Sequence, residues 1–287
     1  MPTFAALPAY WGDLMTLAFL VSLVYVVWNV VRLRAFLDEI GACMTLFAGV
    51  CVRLGHLPKR RHWLVAQLYA AGIANLHVVL LVGLFIGMIL CLQTGIELAR
   101  FGQQDQIGVL VATGLAREMA PFVTAVILAA TFGSALAAEL GTMAVSDELA
   151  ALEVMSVDRV SFLILPRVVA LAIICPMMTV LCNAIGVLGG GFVADAQLDV
   201  SWSMYMDSVW FALEDVGEFI PLPKDMYAGL LKSFVFGILI AVISCHSGLK
   251  ARGGALGVGR ATSTAVRDST IAVIVSNYFM TWFLYQA

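Results

Sequence analysis

Residues 78–92 read VVLLVGLFIGMILCL, a run without a charged or strongly polar side chain. With the apolar residues that precede it from Ala70, it makes a segment of helix long enough to cross a hydrocarbon core about 30 Å thick. A strand of a membrane barrel would instead alternate apolar and polar residues over about ten positions. Similar stretches recur at Leu14–Val31, Ala35–Val52, Met119–Ala137, Val168–Val193, Met226–Cys245 and Thr270–Leu284. Composition agrees: 62% of the 287 residues are hydrophobic and 12% charged, against about 45–50% and 25% in soluble domains. The expected fold is an all-α membrane protein. The net charge of −3 and the lack of a basic stripe give no reason to expect nucleic acid as a partner.

The bases set the orientation. RLGHLPKRRH (53–62) and LKARGGALGVGRATSTAVR (249–267) are basic and belong to the cytoplasm. The connection 194–225 holds seven acids and one lysine, as suits the outer side. Five spans then alternate, starting outward with Ala70–Leu92 and ending outward with Thr270–Leu284. Residues 35–52 carry Asp38 and Glu39 in their first turns and read as a helix lying in the membrane interface. Residues 1–34 contain an extra hydrophobic helix, read first as a span with Arg32 and Arg34 inside and second as a helix lying in the interface. The first 13 residues have no Lys or Arg, so a cleavable signal peptide is not expected. One membrane domain, 35–287, follows the N-terminal segment.

This topology places the most unusual stretch, AELGTMAVSDELAALEVMSVD (138–158), in the cytoplasm, with five acids and no base. Ser146 is the expected N-cap of its helix, with Asp147 and Glu148 in the first turn.

The chain carries neither a G-x-x-x-x-G-K-[ST] phosphate loop nor a G-x-S-x-G or H-E-x-x-H motif. GGALGVGR (253–260) reads as a flexible turn. No catalytic site and no metal site is expected; Ser134 with His77 or His246 is the only arguable nucleophile–base set, without a local signature. Cys43, Cys51, Cys91, Cys175, Cys182 and Cys245 have no metal-ligand spacing and read as small packing residues. Any energy source lies in another subunit or in an ion gradient.

Charges beside spans are functional candidates. In LAREMAPFV, Arg117 and Glu118 precede about 20 apolar residues, which places them near the outer boundary of the span. They read either as an interfacial ion pair or as a polar mouth for a lipid headgroup. Lys232 lies two turns into its span and is expected to snorkel. G-x-x-x-G patterns at Gly83–Gly87 and Gly186–Gly190 permit close helix approach.

GLFIGMILCLQ (83–93), LAREMAPFVTAVILAATFGSALAAELGTMAVSDELAALEVMSVD (115–158) and GVGRATSTAVRDS (257–269) resemble the MlaE-type permeases of Mce lipid-transport systems. The resemblance runs from about Ala35 to the C-terminus. It implies a homodimer in the bacterial inner membrane, each protomer with five core transmembrane helices and an N-terminal interfacial helix. Cytoplasmic ABC ATPase subunits would bind ATP and Mg and drive transport. A periplasmic MCE-domain protein, membrane lipid and a small cytoplasmic accessory subunit would be the other partners. No cofactor is implied in this chain itself. Arg117 and Glu118 would line the lipid cavity near the headgroups; Phe85, Ile86, Met88, Ile89 and Leu92 would form the acyl-chain wall. Glu139, Gly141, Asp147, Glu148, Leu149, Leu152, Glu153 and Met155 would fall in the block that couples to the ATPase. Thr131-Phe132 stands where many members have Gly-Arg, and Asn277 where an aspartate is common. The implied function is a lipid permease driven by a separate ATPase; the alternative is an ion-gradient-driven secondary transporter of hydrophobic substrates.

Overall fold

The computed structural model describes residues 37–55, 61–214 and 223–286. Two compact units divide the chain, 1–46 and 47–287. The extra hydrophobic helix expected in 1–34 lies outside the described residues. Helix α1 occupies 37–52, and its early turns expose Leu37, Ile40 and Met44.

The second unit is built from α2 (Arg61–Phe101), α3 (Gln104–Val145), α4 (Glu148–Val154), α5 (Val160–Gln197), α6 (Trp202–Leu213), α7 (Lys224–Leu249) and α8 (Gly254–Gln286). The protein is all-α and multi-pass: α2, α3, α5 and α7 are each long and apolar enough to cross a membrane. Helix α8, the fifth expected span, falls below them in hydropathy. It nevertheless runs beside α3 along most of that helix: Val258 lies against Gly141, and Thr281 bonds Glu118. Its lower hydropathy comes partly from Asn277 and Thr281, whose Nδ2 and hydroxyl donate to Glu118 on α3.

Helices α2 and α5 run antiparallel in close contact, and glycines decide how close. A Cβ on Gly87 would lie 1.9 Å from the Gly186 carbonyl oxygen, and one on Gly83 would lie 2.9 Å from Cys182 Sγ. The expected glycine motifs therefore do mark a helix crossing. Helix α7 fits between α3 and α5 in the same way, with Gly229 against the Ala116 carbonyl and Gly237 against that of Leu171. Leu128, Leu136, Leu171, Phe236 and Ile240 fill the space between them and are fully buried. Four of the six cysteines, Cys91, Cys175, Cys182 and Cys245, are buried.

Gly253–Arg260 is not a flexible turn throughout. Gly253 and Gly254 take positive φ, and helix begins at Gly254. The chain closes tightly there, since a Cβ on Gly257 would meet the Arg252 carbonyl at 1.9 Å. Nor is 194–225 a plain connection: α5 extends to Gln197, and α6 packs Tyr205 and Val209 into a cluster with Cys91, Ile107, Val111 and Val193.

Candidate functional site

The site begins with a proline. Pro121 has no N–H, so the carbonyl of Arg117, four residues earlier, loses its helical donor. The backbone around it widens into a π turn at Leu115–Met119, a local form frequent at functional positions. Lys232 from α7 supplies the missing donor, its Nζ lying 3.1 Å from the Arg117 oxygen. The same ammonium donates to Glu118 Oε1 at 2.6 Å and to Thr281 Oγ1 at 2.7 Å. Asn277 Nδ2 donates to Glu118 Oε2 at 2.9 Å. Three helices are thus tied at one point, and the three protons of Lys232 are all engaged. Lys232 does not snorkel: its side chain is 0% exposed and turns inward to Glu118.

Depth follows from the packing register. Cys91 and Val111 both lie against Gly190, so they share a height. Gln93, Thr94 and Glu97, just beyond Cys91, begin the outer polar edge. Glu118 lies two turns inward of Val111, about 10 Å. On the other side, Arg267 and Asp268 on α8 sit about 20 Å inward of Glu118, reckoned from the two α8–α3 contacts above. The two polar edges are then separated by about 33 Å, one hydrocarbon thickness. By this register Arg117 and Glu118 lie about 10 Å inward of the polar residues that follow Cys91 on α2, where counting residues to Glu139 suggested the boundary itself. Glu139 misleads because Arg167 bonds it at 2.8 Å on the cytoplasmic side of the Arg267 level. An unpaired charge at the membrane centre costs about 3 kcal/mol or more, which the Lys232–Glu118 pairing avoids.

Beside this network the molecule has a ledge. Helix α7 starts, and α8 ends, at the height of Arg117: Asp225 accepts from Arg117 Nε, and Tyr285 Oη lies 3.4 Å from Asp225 Oδ1. Helices α2, α3 and α5 continue outward, α3 by about 20 Å to Gln104. Arg117 lies on the floor of this step, its guanidinium 4.9 Å from the Tyr285 ring centroid and its side chain 45% exposed. Among the described residues its two terminal nitrogens have no hydrogen-bond partner within the chain. Of the two cations here, Arg117 alone has donors to offer a ligand.

Residues 64–283 match the profile of the family described as Permease MlaE. The chain belongs to the MlaE permease family. It is 38% identical over 220 residues to a probable ABC transporter permease protein of Synechocystis, covering 77% of this chain and 81% of that one. It is 37% identical over 218 residues to a probable ABC transporter permease protein of Rickettsia prowazekii, covering 76% and 81%. The chloroplastic protein TRIGALACTOSYLDIACYLGLYCEROL 1 of Arabidopsis thaliana is 36% identical over 248 residues, 86% of this chain and 68% of the relative.

In this MlaE-family permease the other expected site residues separate. Phe85 and Ile89, one turn apart, are 52% and 56% exposed on one face of α2. Ile86, Met88 and Leu92 instead pack against the outer cluster around Cys91 and Tyr205. The five do not form one wall.

The acid-rich stretch holds α4, but Ser146 is not its N-cap. Asp147 takes that position with φ 59°, while Ser146 ends the preceding helix and bonds Thr142 and Glu148. Leu149 is buried and Leu152 half-buried against the permease. Gly141 is packed on Ala251 and Val258. Three of the five acids pair within the chain: Glu139 with Arg167, Glu153 with Arg159, and Asp158 with Arg53. Val154 and Met155, at 87% and 64% exposure, are the large apolar residues left outward.

Lys232, Asn277, Thr281, Asp225 and Tyr285 are the network members that sequence reasoning did not assign to the site. Two signals pointed to them: a lysine inside an apolar span, and an Asn–Thr pair one turn apart in the last helix.

Proposed function

We propose that this permease moves a phospholipid or a similar lipid between the bacterial inner membrane and a periplasmic MCE-domain protein. It would work as a homodimer, driven by separate cytoplasmic ATPases that bind ATP and Mg. The observation that carries the reading is Arg117: a guanidinium with free terminal nitrogens, held by Asp225 and Tyr285, on a ledge sunk in an apolar membrane protein. A planar guanidinium matches a phosphate oxygen pair. Burial of acyl chains against apolar surface contributes about 0.8 kcal/mol per methylene. Burial alone only retains lipid, so transport needs a second state of lower affinity. The partner ATPase would supply that change, and α1 would lie in the membrane interface. In the ion-gradient alternative Glu118 would carry the ion, yet both its oxygens already accept bonds from Lys232, Asn277 and Thr281.

Arg117→Ala is expected to lower the lipid co-purifying with the permease about tenfold, measured by mass spectrometry of extracts. Lipid content unchanged from wild type would remove Arg117 from headgroup binding.

The outward residues of α4 suit an apolar contact with the ATPase. Changing Val154 and Met155 together to Asp is expected to weaken ATPase association tenfold or more, leaving membrane insertion intact. Charge reversal at Glu153 would act less directly, because Arg159 already holds it. Pull-down of the ATPase at wild-type strength by the Val154/Met155 variant would assign the segment another role.

A further inference from the structure

Among the described residues, one face of α3 is exposed or half-buried from the ledge to its outer end. Gln106, Leu110 and the adjacent Thr113 and Gly114 follow at spacings of three and four, and Arg117 comes next; all five are exposed or half-buried. The residues between them, Ile107, Val111, Ala112, Leu115 and Ala116, are buried. Gly114 is the notable member: a Cβ built there meets nothing within 4 Å. A glycine needed for close helix approach would have a neighbour, as Gly87, Gly108 and Gly229 do. Gly114 instead leaves the face bare midway between Arg117 and Leu110.

At the top the open face runs into a groove between the end of α2 and the start of α3. It consists of two hollows of ≈ 350 and ≈ 450 Å³ that adjoin across Leu98 and Leu110. Volumes of this order suit a small polar ligand. Gln93, Thr94, Glu97, Gln103, Asp105 and Gln106 give it amide, hydroxyl and carboxylate groups, and among the described residues no Lys or Arg lines it. The neighbouring Arg100 is paired with Glu97. This chemistry is the converse of the floor. Arg117 offers donors to a phosphate, whereas the groove offers the acceptor-only carboxylates of Glu97 and Asp105, with amides that accept as well as donate, on an apolar seat of Leu98, Phe101 and Leu110.

We propose that the groove is a second headgroup station, reached along the Gly114 face. It takes the hydroxyl or ammonium end of a lipid headgroup whose phosphate is first held at Arg117. About 16 Å of helix separates Arg117 from Gln106. That is too far for one small headgroup to touch both, so the two stations act in turn. The inference rests on the lipid-permease reading and adds a path and a headgroup preference to it.

The test uses the full-length permease in phosphatidylcholine nanodiscs doped with phosphatidylethanolamine or phosphatidylglycerol. Phosphatidylcholine has a cationic end without N–H or O–H donors. A benzophenone amino acid is placed at Leu110 in the groove or at Tyr285 on the ledge, and crosslinked lipid is identified by mass. Labelling at Leu110 is expected to favour the two donor-bearing lipids over phosphatidylcholine about tenfold per mole. Labelling at Tyr285 should not discriminate between them. Gly114→Trp, which enters open space, should melt as wild type, abolish lipid labelling at Leu110 and preserve it at Tyr285. Gly114→Leu should give a partial block and stands in if the Trp variant does not fold. Equal labelling of all three lipids at Leu110, labelling of protein alone, or labelling insensitive to both Gly114 variants would overturn the second station while leaving the ledge reading intact. Absence of lipid at Tyr285 in the unmodified background would instead strike the lipid-permease reading itself.

Discussion

Gly87→Val is expected to yield no folded permease. A side chain at Gly87 would place its first carbon 1.9 Å from the Gly186 carbonyl oxygen and 2.6 Å from the Gly186 Cα. Both are backbone atoms of a long helix, so no rotamer change relieves the overlap. The α2–α5 crossing would have to open, and packing along both helices would go with it. Even Gly87→Ala is expected to destabilise by about 3 kcal/mol, at the upper end of overpacking effects. Gly114→Ala is the internal control: it meets nothing, and replaces glycine in a helix with a better helix former, a gain of about 1 kcal/mol. Melting in detergent, followed by size-exclusion chromatography, separates the two. Equal melting temperatures for the two alanine variants would show that the crossing tolerates more separation than its geometry implies.

The second large effect concerns Lys232. Replacing it with Met leaves Glu118 without its cation and the Arg117 carbonyl without a donor, in a place where water does not replace either well. Removing one partner of a buried pair typically costs about 3–5 kcal/mol, and Glu118 keeps 32% side-chain exposure, which favours the lower end. Adding Glu118→Gln to Lys232→Met removes the stranded charge and should restore more than half of the loss. A single Lys232→Met variant as stable as wild type would mean that the three-helix tie contributes nothing. A double variant no better than the single would place the whole cost on the Arg117 carbonyl.

Much of this molecule was legible before any coordinates. Long apolar runs gave the spans because lipid leaves a helix few alternatives. The glycine pairs did mark a crossing. The depth of the site was not legible. Counting apolar residues from Arg117 to Glu139 treated Glu139 as a boundary marker, but Arg167, distant in sequence, neutralises it on the cytoplasmic side. Arg267 and Asp268 on a different helix form a polar level well short of Glu139, and a single-helix count cannot see that. The acyl-wall residues on α2 separated for a related reason. The run 85–92 is apolar on every side, so its pattern did not say that Ile86, Met88 and Leu92 face the cluster around Tyr205. In the acidic stretch, the family resemblance implied a block that couples to the ATPase. Pairing within the chain leaves Val154 and Met155 as its most prominent outward groups.

The π turn at 115–119 holds one more residue than an ordinary helical turn. A single inserted residue advances the helical phase by about 100°, and a second π turn lies at Ala129–Gly133, so α3 is three helices in angular terms though one in length. The outer part, from Gln104 to Gly114, has a different phase from the stretch Ala120–Leu128 that follows the first π turn. The alignment of the open face with the ledge depends on that offset. No point substitution can reset it, but deletion of one residue can. A one-residue gap within 115–119 in an aligned relative would therefore mark a chain whose outer face of α3 points away from its ledge.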